Sequence, residues 1–276
     1  MKRAAHRFIA RASRTLIAGI AFAVVVAIGS TLAGPRVADA TTVPTGTPAA
    51  VESSATTPAP APAPAPKPKP VPLQMARIGS TQQLVTVTGN RLGSTTGILR
   101  VFEKVDGVWI QRFSAAARFG KRGLIDGTKR REGSLTTPTG MWRMGSYVFG
   151  THAAPPTGTS MAYRRMTWKS WWSSRRGKTY NTWVESRYWT GEHISRSPKA
   201  YEFAVSTGYN ALPNTSVFGR GSGIFIHVMG SGLTAGCVSV SRGDMVRICR
   251  VLNNKKKPCI VIGTLKRGSS TSIWAY

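Results

Sequence analysis

Ten of the chain's 17 prolines fall between Thr41 and Met75, alternating with alanine from Pro58 to Pro66 and then with lysine through Pro70. Proline fixes φ and donates no backbone hydrogen bond, so this stretch favours polyproline II and cannot supply a packed core. Folding is therefore confined to what lies on either side of it. At ~3.1 Å per residue the spacer can reach on the order of 110 Å when extended. That suits a domain held at a membrane and working at a distance; a plain linker has the same composition.

Before the spacer, residues 1 to 14 hold Lys2, Arg3, Arg7, Arg11 and Arg14 with no acidic residue, and Thr15 to Ala33 is a 19-residue apolar run. Ala38-Asp39-Ala40 provides a small-residue cleavage site. Residues 1–40 read as an export signal, cleaved after Ala40 in the preferred reading and kept as a signal anchor in the alternative. Both readings put the remainder outside the cytoplasm, because the positive flank stays inside.

After the spacer, residues 76–276 are enough for one domain with a sizeable core. Its signals are mostly β. Gln83 to Thr88 alternates, and Ile98 to Val105 and Val108 to Ala115 flank Asp106-Gly107, a strong hairpin turn. Met141 to Val148, Tyr201 to Thr207, Gly223 to Val228 and Cys259 to Ile262 read as further strands. One helix is expected after Ser241, which can cap it, with Asp244 three residues on and Met245, Ile248, Cys249 and Leu252 at helical spacing. The fold class that follows is mainly β, closed or sandwiched, with a helix after Cys237.

The most chemically suggestive stretch is Gly223 to Val240. An apolar strand ends near His227, a Gly/Ser/Thr loop follows, and Gly236-Cys237 opens a second apolar run. A thiol needs help to ionise near neutral pH, and a neighbouring imidazole lowers its pKa. The backbone N–H groups of Gly236 and Cys237 are candidates for an oxyanion hole. The plain alternative is a small buried cysteine beside a satisfied histidine.

Phe225-Ile226-His227 followed by Thr234-Ala235-Gly236-Cys237-Val238 resembles the active-site signature of the YkuD-type L,D-transpeptidases. Thr137-Pro138-Thr139-Gly140 resembles a second element of that family, a Thr-Pro-x-Gly turn before a strand. The chain departs from the family in having Ala235 before Gly-Cys, Ser239 two residues after the cysteine, and only ten positions from His227 to Cys237. The resemblance implies a β-sandwich-like catalytic domain, Cys237 as nucleophile and His227 as its proton relay. It implies attack on a peptidoglycan tetrapeptide stem at the L-centre of residue 3, loss of D-Ala, and a 3→3 cross-link formed through a thioester. Water as acceptor would make the enzyme an L,D-carboxypeptidase. No cofactor and no metal is expected. Tyr180-Asn181 and Tyr209 resemble elements of exported, actinobacterial-type members, and with Thr234 they are the expected substrate contacts. A sortase-like enzyme would need an arginine on a later strand, whereas Arg247 and Arg250 fall on the expected helix.

Ala153 to Pro198 holds Trp168, Trp171, Trp172, Trp183 and Trp189 interleaved with arginine and lysine. Such a face suits a carboxylate-bearing peptide–glycan, and equally the underside of a long loop. The net charge is +28 overall, and +22 from Ala76 onward, where 30 basic residues face 8 acidic ones. This steers the domain toward polyanions, here stem carboxylates and anionic wall polymers. Nucleic acid is set aside on the export signal and the lack of a recognisable motif. A non-catalytic wall-binding module remains the alternative. Cys249 and Cys259 are placed for either a disulfide or two buried thiols.

Overall fold

The computed structural model describes residues 79–265 and 273–274, so the expected signal and spacer lie outside the described residues. The strands are β1 (Gln83–Gly89), β2 (Thr96–Val105), β3 (Val108–Arg118), β4 (Leu124–Asp126), β5 (Thr137–Arg143) and β6 (Tyr147–Gly150). Then come β7 (Ala162–Arg165), β8 (Ser170–Ser173), β9 (Trp183–Glu185), β10 (Gly191–Glu192), β11 (Phe203–Ser206), β12 (Phe225–Val228) and β13 (Val238–Val240). Helix α1 (Arg242–Val251), β14 (Cys259–Leu265) and β15 (Ile273–Trp274) close the described chain. Twelve strands form one sheet in the order β4-β5-β14-β1-β2-β3-β13-β12-β11-β6-β7, with β15 added on β14. A small second sheet runs β10-β8-β9. The expected mainly β fold with one helix after Cys237 is what the chain adopts.

Local chemistry sets several of these elements. Asp106 and Gly107 both take positive φ, 49° and 82°, the twist a two-residue hairpin turn between β2 and β3 requires. Ser241 caps α1 by accepting from the Asp244 N–H at 3.1 Å, and Met245, Ile248 and Cys249 bury its inner face. The span Met141 to Val148 is not one strand. The chain changes partners there: the Met144 N–H donates to the Pro258 carbonyl and the Gly145 N–H to that of Ser206. So β5 pairs with β14, while β6 pairs with β11 in another part of the sheet. Thr137 to Gly140 is likewise strand, the first half of β5 running parallel to β4, and not a turn.

Because side chains alternate along a strand, β12 serves two interiors. Ile226 and Val228 enter an aliphatic core with Val85, Leu99, Ile260 and the inner face of α1. Phe225 enters a second, aromatic core with Phe149, Trp172, Tyr201 and Cys237, to which the small sheet contributes. Cys249 lies in the first core and Cys259 packs against a third cluster around Leu84, Phe102 and Val261. Both are free thiols in the structure, each packed in its own cluster.

Candidate active site

β12 and β13 are parallel neighbours, with Ile226 opposite Val238 and His227 opposite Ser239. The connecting loop turns back by docking on the end of β3: the Thr234 N–H donates to the Phe119 carbonyl and the Lys121 N–H to that of Thr234, both at 2.9 Å. Gly236 has φ +144°, and a Cβ there would sit 2.8 Å from the Thr136 carbonyl oxygen. Only glycine suits that backbone and that space, which accounts for the residue before Cys237. Thr137 Oγ1 accepts from the Gly120 N–H and donates to the Gly236 carbonyl, both at 2.8 Å. The Thr-Pro-Thr-Gly segment therefore braces the cysteine loop.

His227 and Cys237 both line a cleft of about 480 Å³. Each is only 7 % exposed, so Cys237 is not the surface loop thiol that a Gly-rich loop suggests. Its S–H donates to the Gly223 carbonyl at 3.3 Å, and its sulfur accepts from the Phe225 N–H at 3.4 Å. Burial, and then the charge of Glu192, push the thiol up to about 12, against the Phe225 N–H and Arg130. This reverses the expected lowering by an imidazole, and no hydrogen bond joins the sulfur to His227 among the described residues. His227 Nδ1 lies 2.8 Å from the Val228 carbonyl oxygen. A carbonyl can only accept, so Nδ1 carries the proton and Nε2 keeps the lone pair. Burial holds His227 below its ordinary 6.5, although that bond opposes the shift. The pair at rest is a neutral thiol and a neutral imidazole.

Thr234 lines the cleft as expected, but its hydroxyl is taken up locally, donating to the Cys237 carbonyl at 2.7 Å and accepting from the Gly236 N–H at 3.1 Å. The Gly236 N–H is thereby committed, and the expectation that it holds an oxyanion is corrected; the N–H of Cys237 is left for that role. Tyr180, Asn181 and Tyr209 are not brought into the cleft. All three are buried. The Asn181 amide oxygen accepts from the Trp172 indole N–H at 2.6 Å and the Gly223 N–H at 2.9 Å, and its NH₂ donates to the carbonyls of Tyr209 and Asn210. The Tyr180 hydroxyl accepts from the Gly221 N–H at 3.2 Å, and the Tyr209 hydroxyl lies 3.0 Å and 2.9 Å from the carbonyl oxygens of Gly127 and Arg220. They hold the segment whose Gly223 carbonyl accepts the thiol hydrogen bond.

Several residues that matter here are not among the expected site residues. Glu192 lines the cleft and is exposed there, and the protein around it raises its pKa against the lowering by the Tyr201 hydroxyl. It accepts from the Tyr201 hydroxyl at 2.5 Å, and the Tyr201 ring packs edge-on against His227 at 5.5 Å. Arg130 and Glu132 also line the cleft. Ser239 does too, and its buried hydroxyl has no hydrogen-bond partner among the described residues. The other two described histidines lie elsewhere: His152 pairs with Glu202, and His193 stacks on Trp171 at 4.0 Å. Of the five tryptophans in the basic stretch, Trp171 and Trp172 are buried, Trp183 packs on the aromatic core, and Trp168 and Trp189 are exposed.

Residues 94–262 match the family model of the L,D-transpeptidase catalytic domain, YkuD. No curated protein matches the chain.

Proposed function

The chain belongs to the YkuD family of L,D-transpeptidase catalytic domains, and from that premise we propose that it cross-links peptidoglycan through a thioester on Cys237. The observation that carries the reading is the shared cleft of Cys237 and His227, in which the Val228 carbonyl fixes the imidazole with Nε2 as its basic atom. With both groups neutral, proton transfer accompanies attack and does not precede it. Cys237 Sγ bonds to the carbonyl carbon of stem residue 3 as its proton passes to His227 Nε2. The Cys237 N–H holds the developing oxyanion, a kind of contact worth ~10²–10³ in rate in other enzymes. The C–N bond then breaks, D-Ala leaves as the amine, and His227 returns the proton to its nitrogen. An amine of a second stem attacks the thioester and gives its proton to His227. The C–S bond breaks and the sulfur is reprotonated, leaving a 3→3 amide link.

The export signal and the spacer support an extracytoplasmic, wall-associated enzyme that reaches its substrate from residues 41–75. The +22 charge of residues 76–276 supports attraction to anionic wall polymers and stem carboxylates. The test is intact-mass analysis with a D-Ala-terminated tetrapeptide donor, with and without an amine acceptor. A single acyl adduct at Cys237, D-Ala release and an amine-linked product support the reading. A hydrolysed product alone makes it an L,D-carboxypeptidase, and no adduct on a folded protein leaves a binding module.

A further inference from the structure

Arg130 is 2 % exposed, yet it makes no ion pair among the described residues. Buried guanidinium groups are ordinarily paired, because an uncompensated charge out of water is costly. Two of its nitrogens are occupied by backbone: Nε donates to the Thr136 carbonyl at 2.9 Å and Nη1 to that of Arg220 at 3.1 Å. Its flat group also lies over the Tyr209 ring, 5.6 Å from the centroid. These contacts fix the fork and leave Nη2 without an acceptor among the described residues. Arg130 lines the catalytic cleft, and Nη2 lies 3.0 Å from where a Cβ on Gly236 would stand, next to Cys237 in the chain. The chain keeps room for it: Gly221, at φ +108°, lies so close beneath the guanidinium that no side chain fits there.

We infer that Arg130 is the receptor for the free α-carboxylate that ends the donor stem. The inference rests on the transpeptidase reading and names what selects its donor. In a D-Ala-terminated donor the carboxylate carbon lies only about 3–4 Å from the carbonyl carbon under attack, one residue back. A receptor for it must therefore stand near the nucleophile, and Arg130 lines the same cleft as Cys237 with Nη2 against the residue that precedes it. The cleft's two carboxylates leave Arg130 unpaired: Glu132 accepts from the Ser222 hydroxyl at 3.1 Å and Glu192 from that of Tyr201 at 2.5 Å. They also disfavour an anion elsewhere in the cleft, which restricts the carboxylate to the arginine. A donor one residue longer carries its carboxylate beyond the reach of Nη2, so the cleft selects stems that end directly after the scissile bond.

The test compares acylation rates of Cys237, read by intact mass, for a tetrapeptide donor, the same donor with a C-terminal amide, and a pentapeptide. Wild-type protein should favour the free carboxylate by about 10- to 100-fold, the range of a hydrogen bond to a charged group. In Arg130→Gln that ratio should fall toward one, and Arg130→Lys should restore part of it. A purely structural arginine would slow all donors alike and leave the ratio where it was. Equal wild-type rates for acid and amide overturn the inference whether or not the variants fold. An adduct from none of the donors overturns the transpeptidase reading, and the inference with it.

Discussion

The two faces of β12 belong to interiors built on different rules. Ile226 and Val228 point into a mostly aliphatic core, with a few phenylalanines, from long neighbouring strands and α1. Phe225 points into an aromatic core, and beside it the glycine-rich segment Gly221–Gly223 is held by side-chain hydrogen bonds from Asn181 and Tyr180. The first interior is held mainly by non-directional burial and tolerates change in proportion to the volume removed. The second combines edge-on rings, such as Phe149 on Phe225 at 5.1 Å and Trp172 on Phe225 at 4.7 Å, with a directional polar frame. It is the second that sets where the Cys237 thiol points. Stability and catalysis should therefore respond differently to damage on the two sides of a single strand.

Adjacent residues offer the sharpest contrast. Phe225→Ala should cost about 3–5 kcal/mol and should also abolish acylation of Cys237 in the fraction that stays folded, because the ring packs beside the thiol. Ile226→Val should cost about 0.5–1.5 kcal/mol and leave acylation intact. Denaturant melts paired with adduct formation at a temperature where both variants are folded would check this. If Ile226→Val harmed acylation as severely as Phe225→Ala, the two interiors would be one.

Asn181→Ala comes next. It removes the acceptor for Gly223 N–H and Trp172 Nε1–H and leaves buried donors unpaired, at about 1–3 kcal/mol for each orphaned group. Since Gly223 carries the carbonyl that accepts the Cys237 thiol hydrogen bond, the acylation rate should drop well below what the lost stability explains. A rate unchanged in the folded variant would reduce Asn181 to ordinary packing.

On the other side, Ser241→Ala should cost about 1 kcal/mol by uncapping α1 and leave the acylation rate as it was. The smallest effect belongs to Glu202, which is not among the cleft-lining residues, accepts from Arg242 and His152, and is held below its ordinary 4.5 chiefly by the Arg242 hydrogen bonds. A lowered carboxylate stabilises the fold fully above its ordinary pKa and loses that contribution as pH falls through the folded value. Thermal melts from pH 6 to pH 3 should show Glu202→Gln converging on wild type at the acid end. A constant gap across the range would mean the ion pair contributes nothing.

The same contrast explains what could be read from residue order. β1, the β2–β3 hairpin, α1 and the core they share are written in alternation, a turn dipeptide and a cap, all local signals. His227 and Cys237 are legible because a motif places them even across an interval that departs from the family's, and the structure brings both to one cleft. Tyr180, Asn181 and Tyr209 stand out through resemblance to elements of exported family members, but their hydrogen bonds reach up to dozens of residues away and turn them inward. Arg130 and Glu192 were invisible, since each acquires its meaning only from neighbours that the fold supplies. The thiol's protonation also escaped the spacing argument: a cysteine and a histidine ten residues apart say nothing of how deeply each is buried. Met141 to Val148 reads as one strand only when Gly145-Ser146 is passed over, and that pair is where the chain changes sheet partner.

The central claim is that Cys237 and His227 rest as a neutral pair and that proton transfer occurs during attack. The most direct measurement is the rate of Cys237 alkylation by iodoacetamide from pH 6 to pH 9, in wild type and in His227→Ala, beside acylation by the D-Ala-terminated donor at pH 7. With the thiol pushed up to about 12, alkylation should be slow and should climb about tenfold per pH unit without a plateau, in both proteins. Acylation by the donor should be lost in His227→Ala alone. A neutral-pH plateau in wild type that disappears in His227→Ala would instead show a preformed thiolate–imidazolium pair and contradict the account.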